Sequence, residues 1–318
     1  MLISVVIPVF NESEGIEIFH NEYLIPELKK IKKYSFEIIY VNDGSRDNSL
    51  ELISKIARNN KQVKIVNLSR NFGKEIATTA GINFASGEAT IIMDSDGQHP
   101  PKSINDFINK WETGAQVVIG IRGSNQKEGF VKKLGSKAFY RLFNSTSDSK
   151  IVPRSTDFRL IDKVVKTEFL KFTERQRITR GLIDWLGFRR EYINFDAPAR
   201  IAGEASYKTS QLVKLAVNSF ISLSLRPLFF FGWVGAIITA SSFLLGSFIV
   251  VEQVIMHDPL KLAISGTAML GLFTSFMVGL VLISQAMMAV YLSHVHAQTQ
   301  NRPLFVVDTS NSIGLIKK

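Results

Sequence analysis

Two aspartates one residue apart, Asp94 and Asp96, close an apolar run in the stretch EATIIMDSDGQHPP (88–101). A carboxylate pair at that spacing, just past a strand, suits a hard divalent cation with oxygen ligands. Mg²⁺ is usually held by one or two carboxylates plus substrate phosphates, and Mn²⁺ takes similar ligands. Gln98 offers a further oxygen, while His99 reads either as a ligand or, beside Pro100, as a turn residue. Short acidic pairs also arise by chance in loops. At the end of a buried strand, the pair points to a nucleotide-diphosphate site where a metal neutralises charge on a departing diphosphate.

Such a pair needs strands to hold it. The runs ISVVIPVF (3–10), FEIIYVND (36–43), KIVNLS (64–69), ATIIMDSD (89–96) and AQVVIGIR (115–122) are rich in β-branched residues and lack clean alternation. That is the pattern of parallel strands buried on both faces. SLELISKIARNN (49–60) and KEIATTAGINFAS (74–86) have helical apolar spacing. The βαβα order predicts an α/β, Rossmann-like, mostly parallel and doubly wound sheet. Ligands of such sheets sit beyond the carboxyl ends of the strands. The polar residues expected there are Asn11 and Glu12, Asn42 and Asp43, Ser69 to Asn71, Asp94 and Asp96, and Arg122.

The chain has 318 residues and a net charge of +10, from 38 Lys and Arg against 28 Asp and Glu. A basic balance favours anionic partners. With no cysteine, disulfides, zinc–thiolate sites and cysteine nucleophiles are excluded. The N-terminus MLISVVIPVF lacks a basic n-region and meets Pro8 early, so it reads as a first strand and not as a signal peptide.

Residues 228–251 hold no charge in 24 positions, and residues 262–293 none in 32. About 20 apolar residues cross a bilayer core, so the sequence predicts a two-helix transmembrane hairpin. The two spans are 228–251 and 262–293, the second with a cytosolic extension. Residues 252–261 form the extracytoplasmic loop and 294–318 a cytosolic tail. Lys208, Lys214 and Arg226 before the first span, and Arg302, Lys317 and Lys318 after the second, place both ends in the cytosol. The expected location is the cytoplasmic (inner) membrane, with residues 1–205 as a cytosolic domain. Within 132–144, Leu134, Ala138, Phe139, Leu142 and Phe143 share one helical stripe and Lys133, Lys137 and Arg141 another. This basic amphipathic pattern predicts an interfacial helix on a membrane surface, the alternative being a helix packed on the sheet. Residues 206–227 read as a juxtamembrane interfacial helix. The basic residues lie near amphipathic and charge-free segments without an aromatic platform, so a bilayer and not nucleic acid is the expected partner. Gly232, Gly235, Gly246, Gly266, Gly271 and Gly279 permit close helix packing, within one chain or in a homo-oligomer.

IPVFNE (7–12), VNDGSRDNS (41–49), LSRNFGKE (68–75) and MDSDGQHPP (93–101) resemble the GT-A domain of glycosyltransferase family 2. TDFRLID (156–162), RGLIDWLGF (180–188) and RIAGEASYK (200–208) resemble its polyprenyl-phosphate branch, which includes dolichyl-phosphate mannose synthase and bacterial undecaprenyl-phosphate glucosyl-type enzymes. The resemblance implies that Pro8, Phe10, Glu12, Asp43, Asp94 and Ser95 bind the nucleotide-sugar, Asp43 through the base. It places the metal, Mg²⁺ or Mn²⁺, on Asp94, Asp96 and Gln98, and a basic group, Arg122, near the phosphates. Lys132, Ser136, Arg200 and Lys208 are implied in holding the lipid phosphate, and Asp157 stands beside sugar and acceptor. Asp157, Asp96 and Arg122 are the implied catalytic residues. Asn42 and His99 depart from the family, which commonly has Asp at both.

Other roles fit some of these residues. Asp43 would cap a helix or turn, Asp157 would pair with Arg154 or Arg159, Arg200 and Lys208 would be positive-inside residues, and Arg70 and Lys74 would be solvated surface charge. The implied activity is inverting transfer of one sugar, with UDP-glucose the favoured donor and GDP-mannose or UDP-linked amino sugars alternatives, to a polyprenyl phosphate such as undecaprenyl phosphate. A phosphomonoester is already anionic near neutrality, so no strong base is needed. Two other readings fit the sequence less well. A processive polysaccharide synthase would carry Q-x-x-R-W, where this chain has only QRITR (176–180). A non-catalytic nucleotide-sugar-binding membrane scaffold would not need D-x-D or TDFRL.

Overall fold

The computed structural model describes residues 1–123, 154–175, 177–201 and 266–315, with seven scattered positions between 234 and 251. Lys132, Ser136 and Lys208, the segments 132–144 and 206–227, and the loop 252–261 lie outside the described residues. The chain divides into two compact units: Met1–Thr209 with Arg302–Lys318, and Ser210–Asn301.

In the first unit the strands are β1 (Leu2–Val9), β2 (Ser35–Asn42), β3 (Val63–Asn67), β4 (Ala89–Ile92), β5 (Val117–Arg122), β6 (Ser155–Asp162) and β7 (Arg190–Phe195). They form one sheet in the order β3-β2-β1-β4-β6-β5-β7. β1 to β4 pair in parallel, β6 runs antiparallel between β4 and β5, and β7 is parallel to β5. The mostly parallel Rossmann-like sheet expected from the β-branched runs is therefore present. The antiparallel β6 brings its first residues to the edge where β1 to β5 end, since Ser155 pairs with Ile121.

Helices α1 (Ile16–Ile18), α2 (Ile25–Lys30), α3 (Ser49–Asn59), α4 (Lys74–Phe84), α5 (Ile104–Glu112), α6 (Lys163–Phe169) and α7 (Thr179–Trp185) cover the sheet, with a π-helical turn at Phe19–Leu24. Successive strand residues point to opposite faces. Ile3, Val5 and Ile7 of β1 therefore join Phe19, Ile53 and Phe107 in one core. Val6 joins Ile39, Val41, Ala77 and Ala80 on the other. A third cluster, with Ile92, Ile119, Ile161 and Ile183, continues that second face under α6 and α7.

Two buried polar groups, Glu37 and His20, are paired. Glu37 accepts from Ser4 Oγ at 2.5 Å, from Lys64 Nζ at 2.6 Å and from the Ser86 backbone N–H at 2.6 Å. His20 lies 3 % exposed, its Nδ1 2.9 Å from the Tyr40 hydroxyl. Burial pushes the imidazole down to about 4. The unfolded chain therefore takes up this proton near pH 6.5 while the folded chain resists it to about pH 4. Stability from neutral His20 is full above pH 6.5 and is lost as pH falls towards 4, by about 3 kcal/mol in all. Unfolding midpoints of wild type and His20→Asn between pH 7 and 4 are expected to converge as pH falls; parallel curves would refute this.

The end of the chain returns to the first unit. Ile65 and Ile313 exchange backbone hydrogen bonds at 2.9 and 3.0 Å, and the Ser69 N–H donates to the Val306 carbonyl at 2.9 Å. Phe305, Val307 and Leu315 pack on the second core face. The tail thus covers part of the outer edge of β3, which would otherwise offer unpaired backbone groups. Residues 294–299, expected in the tail, still belong to α8 (Gly266–Thr299).

Helix α8 carries no Asp, Glu, Lys or Arg in 34 residues. Counting described residues alone, no helix is long and apolar enough to cross a membrane, and several side chains within α8 are not among those described. The hairpin expected at 228–251 and 262–293 is thus not found among the described residues.

Candidate active site

The loops after β1, β2 and β4, together with the start of β6, converge at one end of the sheet. Asn11 takes the left-handed conformation at φ 54°. Its N–H donates to Ser45 Oγ at 3.1 Å and its Oδ1 accepts from Arg46 N–H at 2.9 Å, tying the first loop to the second. Glu12 N–H donates to Ser49 Oγ at 2.8 Å. Asn42 donates from its side chain to Asn67 Oδ1 at 2.7 Å, and Asn67 donates to Asp308 Oδ2 at 3.1 Å. An aspartate carboxylate at position 42 could not make that donation, so the departure from Asp is matched by its neighbours.

Asp43 spends both oxygens on the backbone of the next loop, accepting from Phe72 N–H at 2.7 Å and Gly73 N–H at 2.9 Å. Burial raises its pKa, and those two bonds pull it back. It ties down the 69–73 loop and does not cap the helix that follows it. Gly44 allows the close approach: at φ +65°, an added Cβ would stand 2.5 Å from Arg70 and Asn71 backbone atoms.

The two aspartates differ in surroundings. Asp94 is 2.7 Å from Lys74 Nζ, and the same ammonium is 3.3 Å from Asp157. Asp96 accepts from Gln98 N–H at 3.0 Å and lies 3.4 Å from Arg200. Its carbonyl accepts from Ile201 N–H at 3.1 Å, which holds residues 200–201 over the loop. Burial, then the Asp96 charge, raises Glu12 to about 7, with Arg200 opposing. Three carboxylates therefore crowd one corner, and two cations answer them.

Lys74 is the member of this cluster that the sequence does not single out, since a lysine at a helix start looks like solvated surface charge. Its side chain is 40 % exposed. Burial alone would lower its pKa, but Asp94 and Asp157 outweigh that and hold it protonated. For Asp157, burial acts upward, yet Lys74, Arg180 and Arg159 together keep its carboxyl below the ordinary range. Asp157 is therefore a carboxylate at neutral pH and a weak base. Its direct ion-pair partner is Lys74 and not Arg159, which acts on it only at longer range and turns its guanidinium to Asp184 at 2.8 Å.

His99 settles as a structural residue. Asp94 N–H donates to its Nδ1 at 3.0 Å, and its ring stacks on Phe158 at 5.1 Å. Gln98 enters through its backbone N–H. Pro8, Phe10 and Ser95 sit at strand ends, Ser95 buried and Phe10 43 % exposed. Arg122 ends β5, and its backbone N–H donates to the Arg154 carbonyl at 3.2 Å. Glu12, Asp94, Asp96, Asp157 and Arg200 are thus brought together with Lys74. A cavity of about 610 Å³, lined by residues such as His20, Lys32 and Phe36, lies where β2 begins, away from this end.

The donor set is the carboxylates of Asp94 and Asp96, with that of Glu12 crowded beside them; among the described residues no group of three acidic or histidine ligands could hold a metal by itself. This suits a cation that shares its coordination with substrate phosphates.

Residues 4–169 match the family model described as glycosyl transferase family 2. The chain belongs to that family, and its mixed α/β sheet is a GT-A-like fold. It is 37 % identical over 305 residues to an uncharacterized glycosyltransferase of Synechocystis sp., covering 96 % of this chain and 94 % of that one. It is 31 % identical over 311 residues to a prophage-derived bactoprenol glucosyl transferase of Shigella flexneri, covering 98 % and 99 %. Among solved structures it is similar at 18 % identity, with TM-score 0.45 over 68 % of this chain and 76 % of the other, to glucosyl-3-phosphoglycerate synthase of Mycobacterium tuberculosis. The chain is a glycosyltransferase.

Proposed function

We propose that this enzyme transfers one sugar, with inversion, from a nucleotide-diphosphate donor to a polyprenyl phosphate at the cytosolic face of the inner membrane. UDP-glucose is the favoured donor and undecaprenyl phosphate the favoured acceptor. The observation that carries the reading is the convergence of Asp94, Asp96 and Glu12 with Lys74, Arg200 and Asp157. The bactoprenol glucosyl transferases similar along nearly the whole chain support the acceptor. The charge-free stretches 228–251 and 262–293 support a membrane hairpin beside it.

Asp94 and Asp96 would hold Mg²⁺ or Mn²⁺, with Gln98 beside them. When bound, such an ion neutralises charge on the departing diphosphate. Lys74 and Arg200 place fixed positive charge on either side of the aspartate pair, where a leaving and an attacking phosphate repel one another. Preorganised charge of this kind acts without reorganisation during the reaction. Asp157, held ionised, orients Lys74 and a sugar or acceptor group. The acceptor arrives as an anion, so the low basicity of Asp157 is no handicap.

Lys74→Met is expected to lower kcat/KM about a hundredfold, the loss of one charged contact in the transition state. Steady-state transfer assays at fixed metal check this, and a loss below threefold would remove Lys74 from the site. A panel of labelled UDP- and GDP-sugars offered with undecaprenyl phosphate tests the donor. UDP-glucose is expected to give most labelled lipid, and preference for GDP-mannose would replace that donor.

A further inference from the structure

Outside the active site, a pocket of about 430 Å³ lies where the returning tail meets the 69–73 loop, lined by Arg70, Arg175 and Arg302 above an apolar floor that includes Phe72, Ile76 and Leu304. The three arginines come from distant parts of the chain, and no Asp or Glu lines the pocket. Like charges gathered around one pocket repel one another, and a bound anion would offset that repulsion. Two of the arginines are anchored or connected. The Arg70 guanidinium lies 4.6 Å from the centre of the Phe72 ring, a cation–π arrangement that orients it. Arg175 donates through Nη2 to the Arg302 main-chain carbonyl, tying the tail to the residues ahead of α7. Guanidinium groups match phosphate oxygens in paired, fork-like hydrogen bonds, which a lysine cluster would not do.

We propose that this pocket is a second phosphate-binding site, distinct from the diphosphate site at Asp94 and Asp96. None of the active-site residues lines it. It adjoins the nucleotide side through the 69–73 loop, where the Phe72 ring faces Arg70 while the Phe72 N–H donates to Asp43. The phosphate is either free in solution or the headgroup of an anionic phospholipid. The apolar floor, and the position of Arg302 three residues after the end of α8, suit either source. This site does not depend on the donor or acceptor proposed above, so a failed transfer assay leaves it standing.

The test uses the purified full chain, first in detergent with inorganic phosphate, then in nanodiscs of phosphatidylcholine with and without phosphatidylglycerol. Binding is read by the thermal midpoint and by titration, for wild type and Arg70→Gln/Arg302→Gln. Arg175 is kept because it ties the tail. The expected result is saturable stabilisation of wild type in at least one arm, weakened by tenfold to a hundredfold, on the order of one or two lost charge-assisted hydrogen bonds, in the double variant. An effect of inorganic phosphate assigns a soluble ligand; an effect confined to phosphatidylglycerol assigns a lipid. Should the double variant not fold, Arg302→Gln alone, at an exposed position, carries the comparison. Equal responses of wild type and variant in both arms, or no response in either, overturn the proposal.

Discussion

Asp96→Asn is expected to lower sugar transfer about a thousandfold while leaving the fold intact. The asparagine keeps the shape of Asp96 and an oxygen able to accept from Gln98 N–H, the 3.0 Å bond that shapes the loop. What it loses is the charge facing Arg200 at 3.4 Å and one of two carboxylates available to a divalent cation. A metal or fixed charge at a developing anion supplies several kcal/mol of transition-state stabilisation, and each 1.36 kcal/mol is tenfold in rate. About 4 kcal/mol thus corresponds to the stated loss. Steady-state rates at fixed Mg²⁺ or Mn²⁺, beside an unfolding curve, separate chemistry from stability. Full activity in the variant would remove Asp96 from the metal and phosphate role. A low rate with an unchanged midpoint is the outcome required.

The largest effect on stability is expected from Arg159→Met. Arg159 is 1 % exposed at the centre of β6, and the side chain of its partner Asp184 on α7 is 2 % exposed. The guanidinium donates to Asp184 at 2.8 and 3.4 Å, to the Thr156 carbonyl at 3.0 Å and to the Arg180 carbonyl at 3.3 Å. Removing Arg159 leaves the Asp184 charge buried with only the partly exposed Arg190 at 3.8 Å to answer it, and breaking a buried pair in this way costs about 3–5 kcal/mol. Replacing both, as Arg159→Met/Asp184→Leu, is expected to recover most of that loss, because the stranded charge is gone. Chemical unfolding of the three proteins in detergent checks the pair. A single-variant loss under about 1 kcal/mol, or a double variant worse than either single one, contradicts it. The pair also fixes the start of β6 and α7, and with them Asp157 and Arg180.

The first five strands were legible because each is a short β-branched run ending in polar residues, and all five occur where those runs lie. Helices α3 and α4 follow their apolar spacing almost to the residue. β6 was not read as a strand, since Arg159 interrupts its apolar pattern and only the distant Asp184 explains why a guanidinium belongs there. β7 alternates too weakly, with REYINF half-exposed, to be told from a loop. The return of the tail to β3 rests on two isolated bridges, Ile65 to Ile313 and Leu68 to Val307. Pairing across some 240 residues leaves no local periodic signal. In the site, Asp94 and Asp96 stood out by type and position, whereas Lys74 looked like any helix-start lysine. Its FGKE setting, directly after a left-handed Gly73 that begins α4, is the signal available in the sequence. His99 shows the reverse: a residue type rich in chemistry whose nitrogen is already taken by the Asp94 backbone.

In the proposed reaction a lipid phosphate attacks the donor sugar directly and inverts it. Its most direct test is the product formed from UDP-glucose and undecaprenyl phosphate by the full chain in proteoliposomes, identified by mass and by the anomeric coupling in its NMR spectrum. The account predicts a β-linked glucosyl phosphate lipid, formed in equal amount to the UDP released. An α-linked product, or UDP released with free glucose and no glycolipid, would contradict it.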